Sequence, residues 1–342
     1  MGGLQKYIAS IPKTEIHLHI EACVSSDSYR TLMKKYDIPL NEETSAQIDF
    51  SKIGSLKSML EAFYFVQSFF QEPDDFLLVV DDVVRYAQRN NIYYIEAFAS
   101  PSMVLKQGMI SFDEMFDTLV RGFSDAQDRT GVDVRLIADV SRSFGAENAM
   151  ANLQHVLGFM KKVPNERILG IGLGGQEQGH PCADYGEVFA AARQAGLHVV
   201  AHAGEEVGPE SVWEAVDILK AERIGHGTSA IQDRSLMEAL KERDIPLEIC
   251  PTSNVITKKY VQDYSEHPIR QFFDFGMPVT VNTDDPMLFS IELNAEYLNL
   301  TKHLGFTREE IIALVKANLD STFLPSDIKA EKWSSVRKTV GE

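Results

Sequence analysis

Apolar residues recur along the chain in short β-rich runs, separated by longer stretches with helical spacing. The runs at 15–20, 92–97, 134–140, 168–173, 198–202, 223–225, 246–249 and 278–281 predict eight strands. Helix-start chemistry punctuates the intervals, with Ser111 three residues before Glu114 and Thr307 three before Glu310, both capping-box arrangements. Eight strand-then-helix units predict an α/β fold, a parallel (β/α)8 barrel of the TIM type.

A bare barrel needs about 250 residues, and this chain has 342. No Pro/Gly/Ser-rich linker or charge block divides it, so the reading is a single barrel domain over 1–342. Much of the surplus falls after the first strand, as a helical, lid-like insertion at about 24–90. Within it the amphipathic run 57–70 puts Met59, Leu60 and Phe63 on one helical face. That stripe is either ordinary core or, because loops leaving a barrel strand overhang the catalytic face, a lid whose side chains touch substrate.

Composition narrows the partners. With 33 basic against 50 acidic side chains the formal net charge is −17, which disfavours phosphate backbones and anionic lipid, so neither nucleic acid nor membrane is expected. A small-molecule substrate is the expectation. Three widely spaced cysteines without a CxxC pair, no signal-like start and no apolar run approaching 18 residues point to a cytoplasmic protein. The sequence carries no signature of oligomeric state.

The first strand reads TEIHLHI, and its period of two sets His17 and His19 on one face, opposite Ile16, Leu18 and Ile20. Paired imidazoles are poor packing material but make half of a metal site. Three more histidine- or acid-bearing strand ends follow: His202 with Glu205 in VVAHAGEE, His226 in RIGHG, and Asp284 with Asp285 in VNTDDP. All fall where a barrel keeps its chemistry. His17, His19, His202 and Asp284 form a set suited to one zinc ion per chain with an open position. Glu205, His226 and Asp285 remain beside it as an acid, a base and an anchor. His198 shares the parity of His202 one layer lower and reads as a core histidine; His155, His180, His267 and His303 are given no chemistry.

PKTEIHLHIE, GIGLGGQE, VVAHAGE, ERIGHGTSA, LEICPTSN and VTVNTDDP, in this order, resemble the adenosine deaminase family of metal-dependent amidohydrolases, from Pro12 to about Leu324. The resemblance implies zinc-dependent hydrolytic deamination of a 6-aminopurine nucleoside to the 6-oxo product and ammonia. It implies one zinc on His17, His19, His202 and Asp284, protonation of ring N1 by Glu205, and a water oriented and deprotonated by His226. It further implies that Asp285 binds N7, the Gly175 amide meets N3, and Glu21 reaches the sugar's 5′ region. Several stretches, among them GLGGQE, PTSNVITK and LNAEY, look most like a bacterial branch acting on adenosine or on a 5′-substituted adenosine such as aminodeoxyfutalosine. Free adenine or another aminopurine is the alternative, and a multi-metal phosphoesterase or a silent binding protein are rival classes. Ala22 departs from the glycine usual after the acidic residue.

Overall fold

The apolar runs become eight strands: β1 (Lys13–Glu15), β2 (Ile92–Ala99), β3 (Asp133–Ser141), β4 (Ile168–Gly174), β5 (His198–Ala203), β6 (Arg223–His226), β7 (Leu247–Ile249) and β8 (Val279–Val281). In the computed structural model, which describes residues 2–39, 41–42, 44 and 49–341, they form one sheet in the order β1 to β8, each parallel to the next. Helices pack outside, and both capping boxes are present, at Ser111 with Glu114 and Thr307 with Glu310. This is a (β/α)8 barrel.

β1 is shorter than the run 15–20 predicts, because residues beyond Glu15 pair with single partners instead of a ladder. Leu18 bridges to Asp284 and His19 to Phe98. The seam between β8 and β1 is closed by His19 N–H donating to Asp284 O at 3.0 Å and Asp284 N–H to His17 O at 3.1 Å. Side chains complete it: Asn282 Oδ1 accepts from Ile16 N–H, and Asn318 bonds both backbone groups of Val281. Unpaired backbone at a seam would cost as much as a lost buried hydrogen bond.

Between β1 and β2 lie the helices Ser26–Lys35, Leu56–Gln67 and Phe76–Asn90; residues 40, 43 and 45–48 of the expected insertion lie outside the described residues. The helix Phe76–Asn90 packs on β2 and on the helix Phe112–Thr130, the place of a barrel helix. The helix Leu56–Gln67 instead crosses the strand C-termini. Among the described residues no helix is long and apolar enough to cross a membrane.

Inside the barrel, Phe98, Ile137 and Val200 form a small apolar plug. Below it Arg223, fully buried, is clamped between Glu96 at 2.5 Å and Glu248 at 2.6 Å. The plug and this clamp form the floor on which the site rests.

Candidate active site

The strand C-termini converge on a cavity of about 530 Å³ counted to its mouth, within the range of small-molecule sites. His19, His202, Glu205, His226, Asp284 and Asp285 line its base, and Leu56, Met59, Leu60, Phe63, Tyr64 and Gln67 cover it from the crossing helix. Met59 and Phe63 are nonetheless buried, and Phe63 packs edge-on against His19 at 5.6 Å. The stripe is thus packed as core while it lines the cavity.

His17 and His19 leave β1 side by side, His202 stands near the end of β5, and Asp284 follows β8. Backbone geometry turns two of the mouth residues inward: His226 and Asp284 adopt left-handed conformations, with φ of 61° and 67°. Such strain in non-glycine residues gathers at functional sites. Gly225 leaves space for the ring of His17, whose Cε1 would lie 2.7 Å from any Cβ placed there. Gly175 has φ of 88°, and a Cβ on it would meet Ser141 Oγ at 2.6 Å. Ala22 sits buried in the turn Ile20–Cys23 with no left-handed backbone, so its methyl is accommodated without strain.

The four expected ligands meet. His19 Nε2 lies 3.3 Å from His202 Nε2 and 3.4 Å from Asp284 Oδ1, and His17 Nε2 lies 3.4 Å from the same oxygen. Ligands about 2.0–2.1 Å from a tetrahedral ion stand roughly 3.3–3.4 Å apart. The partners behind them leave lone pairs facing inward: His17 Nδ1 donates to Glu248 at 2.7 Å, His202 Nδ1 to Leu173 O at 3.1 Å, and Ser253 Oγ donates to Asp284 Oδ2 at 2.7 Å. His17 Nε2 is buried without a hydrogen-bond partner, a costly arrangement unless a cation takes its lone pair. By proximity of ligand atoms the cluster divides into His17, His202, His226 and Asp284, and into His19, Asp284 and Asp285. These residues form a His/Asp cluster able to hold a metal ion.

Glu205 is placed by a carboxylate nest. Glu177 accepts the backbone N–H groups of Gly204, Glu205, Glu206 and Val207 at 2.7–3.2 Å, gathering the loop after β5. Burial first, then the negative charges of Asp284 and Glu177, pushes the Glu205 carboxyl well above its usual range. Its Oε1 has no partner, and Oε2 lies 3.5 Å from His226 Nε2. Burial and the neighbouring Asp284 also push Asp285 well up, and neither of its oxygens is bonded. The cavity wall thus presents carboxyls pushed above their usual range and open polar atoms to a ligand.

A family model described as adenosine deaminase matches residues 12–339. The chain belongs to the adenosine deaminase family. An adenine deaminase of Psychrobacter cryohalolentis is 31% identical, covering 98% of this chain and 99% of that protein. An aminodeoxyfutalosine deaminase of Streptomyces coelicolor is 34% identical over 96% of this chain and 84% of that protein. Among solved structures, an adenine deaminase from Arthrobacter aurescens superposes with a TM-score of 0.89 at 27% identity, covering 97% of this chain and all of that one. Family membership makes this chain a hydrolase acting on aminopurine C–N bonds.

One expectation about a histidine needs correction. His198 is not a core residue: its side chain is 40% exposed, pairs with Glu222 at 2.9 Å and stacks on Phe323. It opens β5 at the barrel's lower rim, where the same parity faces solvent. His267, given no chemistry from sequence, is buried and joined to His226 through Asn254. Sequence reasoning also passed over Glu248, Ser253, Asn254 and Asp139. An acidic residue between Leu247 and Ile249 was the one available signal for Glu248.

Proposed function

We propose that this deaminase hydrolyses the 6-amino group of adenosine or a 5′-substituted adenosine, using one zinc ion held by His17, His19, His202 and Asp284. The observation that carries this reading is the meeting of that donor set, at zinc-like ligand spacing, with a buried Glu205 whose Oε1 has no partner, at the base of one cavity. The nitrogen-rich donor set suits zinc better than calcium or magnesium. Bound there, the ion supplies the Lewis acidity that brings a water's pKa towards neutrality.

The side chains do the rest. Glu205, kept protonated by burial, delivers its proton from Oε1 to ring N1, which makes the amino-bearing carbon electrophilic. Asp285 holds N7, and the Gly175 amide meets N3 beside Ser141. His226 holds the attacking water through Nε2. The product keeps the proton on N1, and the amino nitrogen leaves as ammonia after taking one proton from the water; the water's other proton restores Glu205.

Buried polar oxygens that lack partners favour a sugar. Glu21 Oε2, Gln67 Oε1 and Asp139 Oδ1 are all buried without partners, and Gln67 and Asp139 line the pocket. A ribose brings several hydroxyl donors to such a wall, a free base only its N9–H. Free adenine remains a second reading, supported by Tyr64 Oη meeting Ser141 Oγ at 3.3 Å across the pocket and narrowing it. Ammonia release from adenosine, aminodeoxyfutalosine and adenine ranks the substrates; a kcat/KM for adenine above that for both nucleosides overturns the nucleoside reading. Glu205→Gln, tested on the best substrate, is expected to lower kcat on the order of 10²–10⁴-fold; turnover near wild type removes Glu205 from the mechanism.

A further inference from the structure

The direction of one hydrogen-bond chain behind His226 is fixed by a backbone amide. Ile269 N–H can only donate, and it donates to His267 Nδ1 at 3.1 Å. A neutral imidazole carries one N–H, so the proton of His267 is on Nε2, which donates to Asn254 Oδ1 at 3.2 Å. That orients the amide, and Asn254 Nδ2 donates to His226 Nδ1 at 3.1 Å. Neutral His226 therefore carries its proton on Nε2. Turning the amide over would require His267 to accept at both nitrogens, which no neutral imidazole does. All three side chains are buried, and each imidazole accepts a hydrogen bond at Nδ1, which leaves no place there for a second proton.

We propose that Asn254 and His267 are positioning residues that hold the His226 proton on Nε2, making His226 a hydrogen-bond donor towards the reacting centre. The proposal rests on the deaminase reading above and departs from the role that the family resemblance implies for His226, since a nitrogen that already bears a proton is not the water's base. The contrast with the neighbouring rings supports this. His17 and His202 donate through Nδ1 to Glu248 and to Leu173 O, so each turns a lone pair inward. His226 lies in the same cluster of ligand-capable atoms, yet its Nδ1 accepts and its Nε2 turns an N–H inward. Hydrogen bonds behind the three rings thus sort two as metal ligands and one as a donor. From Nε2 the donor faces Glu205 Oε2 at 3.5 Å and Asp284 Oδ2 at 3.9 Å. It is placed to hold the water's oxygen and to stabilise charge forming there, while a facing carboxylate receives the proton.

Asn254→Asp is an isosteric switch for this device. One carboxylate oxygen still accepts from His267, and the other calls for an N–H on His226 Nδ1, which strips Nε2 of its proton. ¹⁵N NMR of histidine-labelled, zinc-loaded protein reads the tautomer directly, with the His226 signals assigned by their loss in His226→Gln. Wild type is expected to show protonated Nε2 and bare Nδ1. N254D is expected to show the reverse, with kcat lowered on the order of 10–100-fold and KM unchanged. Should N254D not fold, His267→Phe, which removes the donor that orients the amide, is expected to give a mixture of tautomers. A protonated Nδ1 in wild type, or a tautomer unmoved by N254D and H267F alike, overturns the proposal. Its failure is distinct from failure of the deaminase reading, which would appear as zinc-loaded wild type releasing no ammonia while the tautomer stands as described.

Discussion

His17 is held from behind before it meets any metal. Its Nδ1 donates to Glu248, and the other oxygen of that carboxylate accepts from the buried Arg223, which also grips Glu96. A carboxylate behind a ligating imidazole fixes its tautomer and raises its basicity. Glu248→Gln breaks that arrangement, because an amide cannot accept from both His17 and Arg223 while its NH₂ faces one of them. The variant is expected to bind zinc about 10–100-fold more weakly, read by competition with a chromophoric chelator; unchanged affinity would remove Glu248 from the metal centre. The residues to which chemistry is assigned in the proposal were visible in the sequence because their types are unusual where they stand: two histidines in a strand, an Asp pair after an apolar run. Those that orient them were not. Asn254 and His267 are ordinary polar residues whose partners lie 28 and 13 positions away, from Asn254 to His226 and from His267 to Asn254, and no local period marks such a contact.

The loop after β7 shows how elements carry the site. It winds into the short helix Pro251–Thr257, which brings Ser253 to Asp284 and Asn254 to His226. This turn is tethered from the helix Leu293–Leu304, where the buried Glu296 accepts the Thr252 N–H at 2.9 Å. Burial pushes the Glu296 carboxyl up from 4.5 to about 8. Between those values the folded chain keeps a proton that the unfolded chain has released, so this residue's contribution is full below the lower value and is lost as pH rises through the upper one. Glu296→Gln removes the titration and keeps the acceptor. The stability difference, wild type minus E296Q, is expected to fall by up to about 1.4 kcal/mol per pH unit between pH 5 and 8 in urea unfolding; a difference flat with pH would show that Glu296 is ionised in the fold. At this scale the sequence was most informative. Seven of the eight strands lie within two residues of their predicted bounds; β1 departs because His17 and His19 belong to a mouth where single bridges and side chains take the place of a ladder.

Across the whole molecule, the barrel brings residues from 17 to 285 to one rim, while the opposite rim holds the exposed His198–Glu222 pair and, among the described residues, no comparable cluster of imidazoles. The formal net charge is −17; among the buried acids at the site, burial pushes Glu21, Glu205 and Asp285 up, while Asp284, beside the imidazoles of His17, His19 and His226, is held down. Residues of the crossing helix Leu56–Gln67 line the cavity above them. The central claim, one zinc serving aminopurine deamination, is tested most directly by zinc content measured together with ammonia release from adenosine, aminodeoxyfutalosine and adenine, before chelation, after it, and after zinc is restored. The account predicts one zinc per chain and ammonia from at least one of the three, lost on chelation and recovered with zinc. Bound zinc with no ammonia from any of them, or undiminished release from metal-free protein, would contradict it.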